Sequence, residues 1–245
     1  MRGLLTDAFR TLVPRGEERH GPLPPLMLVL TLVTGLVDAV SYLALGHVFV
    51  ANMTGNVVFL GFALAGAASL SVLASVVSVL TFLLGALAGG RLGARFAAHR
   101  GHLLRAATAV QTMLVAVTVV AAAATDGRVT TEVRYTLIVF LGVAMGLQNA
   151  VARRLGVPDL TTTVLTLTLT GLAADSATAG GEAPRPGRRV LSVLAMFLGA
   201  FAGAQLVLHG HLVLTLCAAL LLLALTSAAA HRFSAADAAW HRPKP

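Results

Sequence analysis

From Leu26 to Ala230 the chain is a succession of eight apolar segments, and most of its charge lies between them. The segments are Leu26–Leu45, Val48–Ala68, Leu70–Gly90, Ala106–Ala124, Thr136–Val151, Leu160–Ala174, Val190–Leu208 and Leu212–Ala230. A helix that crosses a bilayer needs about 20 mostly apolar residues. This pattern therefore predicts an all-α, polytopic membrane helix bundle. Composition agrees, with 57% of the 245 residues hydrophobic and 11% charged, against about 25% charged in a soluble domain. That deficit excludes an ordinary soluble enzyme, and the hydrophobicity excludes a disordered chain.

The net charge of +8 invites a nucleic-acid partner, which the distribution rejects. The basic residues form short clusters between apolar segments, where the cytoplasmic loops of a membrane protein collect them. The single cysteine, Cys217, cannot form an intramolecular disulfide, and no zinc-ligand spacing is present. The N-terminal stretch does not read as a cleavable signal, because Asp7, Arg10, Arg15, Glu17, Glu18 and Arg19 interrupt it. Leu4, Leu5, Ala8, Phe9 and Leu12 recur at helical spacing, which suits a short helix on the cytoplasmic membrane face; a loose tail is the alternative.

The chain also repeats itself. Residues 35–40 read GLVDAV and residues 146–151 read GLQNAV, at an offset of 111. Ser78–Leu92 and Ser192–Leu206 share nine of fifteen residues at an offset of 114. Two matches in the same order predict a duplication, with a first membrane repeat over 25–125 and a second over 134–230. A cytoplasmic segment, 1–24, precedes them, and a polar cytoplasmic tail, 231–245, closes the chain.

Basic residues then set the orientation. If all eight segments span, twelve basic residues fall inside and six outside. If the second and sixth segments enter and leave on one side, only Arg128 and Arg134 of the 18 stay outside. The six-span arrangement gives each half an odd number of spans, so the second repeat is inverted relative to the first. Each repeat then has three spans and one broken or re-entrant segment. Eight spans remain the alternative, since both polar segments are long enough to cross.

Three polar clusters mark a candidate site. Asp38 lies thirteen positions into the first segment, where a charged carboxylate costs about 2.5–3.5 kcal/mol on insertion scales. It must face the bundle interior, with Ser41 and Tyr42 one turn on, and be protonated, paired or solvated. Its repeat mate is Asn149, beside Gln148. In the second segment Asn52, Thr54, Gly55 and Asn56 interrupt the apolar run; Gly55 offers backbone freedom, and Thr54 or Asn56 suits the cap of a half-helix. In the sixth, Thr161, Thr162, Thr163, Thr166, Thr168 and Thr170 are flanked by Asp159 and Asp175. Gly85–Gly89 and Gly199–Gly203 predict close helix packing of the third and seventh segments, with each other as one choice. His209 and His211 bracket Gly210 in a turn. No metal set, cofactor motif or nucleophile–base pair is visible, so the chain does not read as an enzyme.

The run Gly35-Leu-Val-Asp38-Ala-Val-Ser-Tyr-Leu, followed by Gly46-His-Val-Phe-Val-Ala-Asn52-Met-Thr54-Gly55-Asn56, resembles the YoaK-like family of bacterial membrane proteins, a family without an assigned function. Gln148-Asn149-Ala150 and the Thr161–Thr170 run are similar to that family's second signature. The chain departs from it at Val57, where a further polar residue is usual, and at Gly171, where an acidic residue is common. The resemblance implies a bacterial plasma-membrane protein and supports the site's location without naming a substrate. The expected function is therefore an inner-membrane permease or channel-like transporter for a small solute, with both termini cytoplasmic. Asp38, Asn52, Thr54, Gly55, Asn56, Gln148, Asn149, Thr162, Thr163 and Thr166 would line a central site. A membrane scaffold or complex subunit is the alternative. The partners are the lipid bilayer and a small solute, and an oligomer is compatible with this reading.

Overall fold

The structure, a computed structural model, describes residues 2–13, 20–163, 165–176, 179–181, 185–234 and 240. Among them are nine helices and no strand: α1 (Arg2–Leu12), α2 (Leu23–Ala44), α3 (Met53–Leu64), α4 (Val72–Arg95), α5 (Arg100–Ala123), α6 (Thr131–Leu155), α7 (Leu165–Ala174), α8 (Pro186–Leu208) and α9 (Leu212–Ser234). Six of them, α2, α4, α5, α6, α8 and α9, are long and apolar enough to cross a membrane. The second and sixth apolar segments are not spans. At 12 and 10 residues, α3 and α7 fall short of the bilayer at about 1.5 Å per residue. The tail expected to begin at Ala230 instead continues α9 to Ser234. Beyond Ser234 only Trp240 is among the described residues, and Arg15, Glu17, Glu18 and Arg19 lie outside them.

Local chemistry sets the helix starts. Prolines stand at the first positions of α2 and α8, where the missing N–H costs nothing. Ser71 and Thr130 cap α4 and α6 by accepting the amides of Ala74 and Val133. Gly156 ends α6 in the left-handed conformation, with its amide on the Ala152 carbonyl.

The bundle centres on α2 and α6, whose most apolar windows are 78% and 61% buried, against 22–33% for the other four. Around them the packing is exchanged between the halves: α4 lies on α6, α8 lies on α2, and α5 lies on α9. Glycines make the first two contacts close. A Cβ on Gly85 would collide with the Val143 carbonyl, and one on Gly89 would stand 2.8 Å from the Leu147 oxygen. In the other half, a Cβ on Gly199 would collide with the Leu32 carbonyl, and one on Gly203 would stand 2.9 Å from the Ala39 methyl. The glycine pairs of α4 and α8 thus do not face each other. Each pair receives the first helix of the opposite half. Gly146 of α6 meets Phe82 and Ala86, and Gly35 of α2 meets Met196 and Ala200. At offsets of 111 and 114 these are the same contacts with the halves exchanged.

Within the N-terminal segment, Arg2–Leu12 form a helix. α1 docks on the start of α8, where Gly187 leaves room for the α1 backbone at Leu4 and Ala8 and Asp7 accepts the Arg188 amide at 3.1 Å. Leu5, Phe9, Leu12 and Val13 face outward from it.

Candidate functional site: two strap contacts

Asp38 lies on α2, six residues before its last residue, and is 4% exposed. After α2 the chain turns at Gly46 and His47, both at positive φ, and folds back along the helix as a strap. The strap brings Ala51 and Asn52 to Asp38. The Ala51 amide donates to Oδ1 at 3.3 Å, and the Asn52 side chain donates to Oδ2. Both donors are neutral. The ion pairs among the described residues lie elsewhere, at Asp159 and Asp175. The Ser41 hydroxyl bonds back to the Asp38 carbonyl at 3.2 Å and not to its carboxyl. Tyr42 stacks on Phe49 of the strap, ring centroids 5.1 Å apart.

Asn56 is fully buried and holds the strap. Its Oδ1 accepts the Phe49 amide at 2.8 Å, and its Nδ2 donates to the Phe49 carbonyl and to Ser78 Oγ on α4. Ser78 donates to the same carbonyl at 2.6 Å. The strap has no helix partner for its backbone, so one amide side chain supplies both a donor and an acceptor. The expected capping role therefore falls away: Asn52 occupies the cap position of α3 without a side-chain cap bond. Gly55 serves by its size, since a Cβ there would stand 2.7 Å from the Phe49 ring. Thr54 faces outward and lines nothing inside the bundle.

The second half makes the equivalent contact with different chemistry. Asn149 also lies six residues before the end of its helix, α6. Thr163 of the second strap donates to its Oδ1 at 2.5 Å, while Asn149 Nδ2 bonds back to the Met145 carbonyl at 2.9 Å. Asn52 follows Asp38 by 14 residues, and Thr163 follows Asn149 by 14. Thr162, next to it, is 2% exposed, sits at φ +65°, and has a buried Oγ1 without a hydrogen-bond partner among the described residues. A β-branched residue in the left-handed region is strained. Thr166 faces outward, whereas Thr168 is the buried residue of α7.

Gln148 belongs to neither contact. Gln111 of α5 donates to its Oε1 at 2.6 Å, and its Nε2 donates to Thr34 Oγ1 of α2 at 2.8 Å, so it ties three spans together. α3 packs on α4 and α7 on α8, and no hydrogen bond among the described residues joins the Thr54–Asn56 and Thr162–Thr166 clusters. The polar residues of the two segments are engaged in two separate strap contacts.

Arg189, not anticipated from sequence, completes the second strap. It pairs with Asp159 at 2.9 Å and Asp175 at 2.8 Å, and Arg185 also reaches Asp159 at 3.0 Å. These pairs fasten both ends of the α7 segment to the start of α8. Asp175 thus points at Arg189. The signal available in sequence was two acids spaced around an apolar run, with an arginine cluster after them.

Residues 26–228 match the family described as protein of unknown function DUF1275. The UPF0700 transmembrane protein YoaK of Bacillus subtilis (strain 168) is 33% identical over 150 residues, which cover 61% of this chain. The chain spans 65% of the length of that relative. No solved structure matches. The family match takes in both strap contacts, all the helices from α3 to α8 and most of α2 and α9, and on that extent the chain, a multi-pass transmembrane protein, belongs to the DUF1275 family.

Proposed function

We propose that this chain is a small-solute permease or channel-like transporter of the bacterial inner membrane, built from two inverted repeats. The observation that carries the reading is the pair of strap contacts. Asp38–Asn52 and Asn149–Thr163 have the same spacing and the same distance from the end of their helices. Each is followed by a helix too short to span. With three spans per half, the two short helices approach from opposite faces, an arrangement known from secondary transporters. Non-helical backbone at membrane depth persists where it is buried in protein or lines a watery cavity. The exchanged glycine contacts support the same two-fold relation. In this reading Asp38 is the titratable group on one side and Asn149, with Thr162 and Thr163, the fixed polar group on the other. Both termini are cytoplasmic, following the basic residues.

One observation favours the scaffold alternative. α3 and α7 face largely outward, with Leu64 71% and Leu167 72% exposed, which suits a surface for a partner protein. Accessibility separates the two. In a Cys217→Ala background, Asn52→Cys and Thr163→Cys are labelled with a membrane-impermeant thiol reagent. A transporter labels the first from outside intact cells and the second in inverted vesicles. Protection of both thiols from both faces would favour the scaffold.

A further inference from the structure

The lipid-facing side of the α5–α9 pair carries a groove of about 680 Å³ that the strap contacts do not use. Ala106 and Ala109 line one wall, and Ala224 and Ala228 the other. At one end stand Arg105 of α5 and His231 of α9, which meet at 3.0 Å through Arg105 Nη1 and His231 Nδ1. A guanidinium has no acceptor, so Arg105 donates and His231 receives on Nδ1. The imidazole is then neutral in this contact and keeps its Nε2–H, and the guanidinium keeps further N–H groups. These remaining donors and the positive charge sit at the head of a groove otherwise lined by small residues.

We infer that this groove holds an anionic phospholipid, with its phosphate on Arg105 and His231 and an acyl chain along the alanines. Arg105 lies near the start of α5 and His231 near the end of α9, so both belong to one membrane face. By the basic-residue rule that face is cytoplasmic. From Arg105 the groove runs two helical turns, roughly 10 Å, along α5 toward the apolar interior, as an acyl chain does. Charge decides against a second copy of the chain. Two copies share one orientation in the membrane, so their Arg105 guanidinium groups would meet at the same depth and repel. A phosphodiester instead supplies the missing negative charge and accepts the arginine's paired N–H groups. Basic pockets between membrane helices at the cytoplasmic side are a general mode of anionic lipid binding. The lipid site stands whether or not the protein transports.

The test places the full chain in nanodiscs of phosphatidylcholine, alone or mixed with phosphatidylglycerol, and tracks thermal unfolding and the lipid retained in native mass spectra. Phosphatidylglycerol should raise the melting temperature and be retained. Arg105→Gln with His231→Gln should abolish most of that rise, measured from the same variant's melting temperature in pure phosphatidylcholine. Retained phosphatidylglycerol should fall by about tenfold, the equivalent of one charge-assisted hydrogen bond. Arg105→Lys keeps the charge but not the fork and should keep only part of the effect. Ala109→Phe with Ala228→Phe fills the groove and should also abolish it. Arg91→Gln changes an exposed arginine outside the groove and should keep all of it. A rise that survives the Arg105→Gln, His231→Gln pair, or one lost equally with Arg91→Gln, would overturn the site in favour of diffuse surface charge. Efficient cross-linking of Ala109→Cys between copies, in a Cys217→Ala background, would overturn it in favour of a dimer.

Discussion

At Asp38 a carboxyl receives two neutral donors, Ala51 N–H and the Asn52 amide. An asparagine there keeps the shape and can accept from Ala51, with the Asn52 amide turned to present its oxygen. Asp38→Asn should therefore unfold within about 1 kcal/mol of the parent, whereas Asp38→Leu strands both donors at about 1–3 kcal/mol each. Thermal melts in detergent check this. In a transport assay Asp38→Asn should lose the pH response of the parent; an unchanged response removes Asp38 from any proton step. Thr162 gives the opposite kind of prediction. Glycine at that position relieves the positive φ and removes a buried hydroxyl that has no partner among the described residues. Thr162→Gly should raise stability by about 1 kcal/mol, strain relief outweighing the lost backbone stiffness. If the strain is kept for function, the same variant should transport less; a stable, fully active variant would make Thr162 a bystander.

The helices pack through glycines that meet backbone directly, and that makes them intolerant of side chains. Gly146→Val and Gly35→Val should each destabilise by about 3 kcal/mol or more, because each forces its helix off a partner's backbone. Gly90→Ala has open space before it and should be silent. Unfolding temperatures of the three variants, compared side by side, test whether the two glycine contacts are equivalent. Sequence made the glycines visible but not their partners, since a small-residue motif says that something comes close without saying what. The six spans were legible from hydropathy and the basic clusters together. The straps were only half legible: Gly46 precedes and Asn52 interrupts the Val48–Ala68 run, yet its apolar content hides that α3 starts at Met53. Asp38 stood out by its charge, while Gln111 and Thr34 carry none, and only the folded bundle brings them to Gln148. Gly171 is a departure that the fold explains in part. A Cβ there would lie 2.8 Å from Arg189 Nη1, so an acidic residue would find a cation waiting, and Asp175 supplies that partner instead.

For the whole molecule, reporter fusions after Arg100 and after Gly181 should both register cytoplasm, and one at Gly127 the outside. A periplasmic Arg100 would count against the six-span arrangement with cytoplasmic termini. The exchanged packing adds a second expectation. If the chain is divided between Gly127 and Arg128, the two pieces expressed together should reassemble and purify as one complex, while either piece alone should be degraded, as a pull-down and a pulse-chase would record. The reason is that α4 is seated by α6, and α2 by α8. That exchange also has a meaning for how the protein is made. When α4 leaves the translocation machinery, its glycine face has no partner, and Gly85 and Gly89 look onto lipid until α6 is synthesised some 50 residues later. α2 waits longer still, for α8. At about 5–20 residues per second, the first half stands incomplete in the bilayer for several seconds. Premature termination anywhere before α8 would leave a membrane-inserted intermediate in which α2 still lacks its partner.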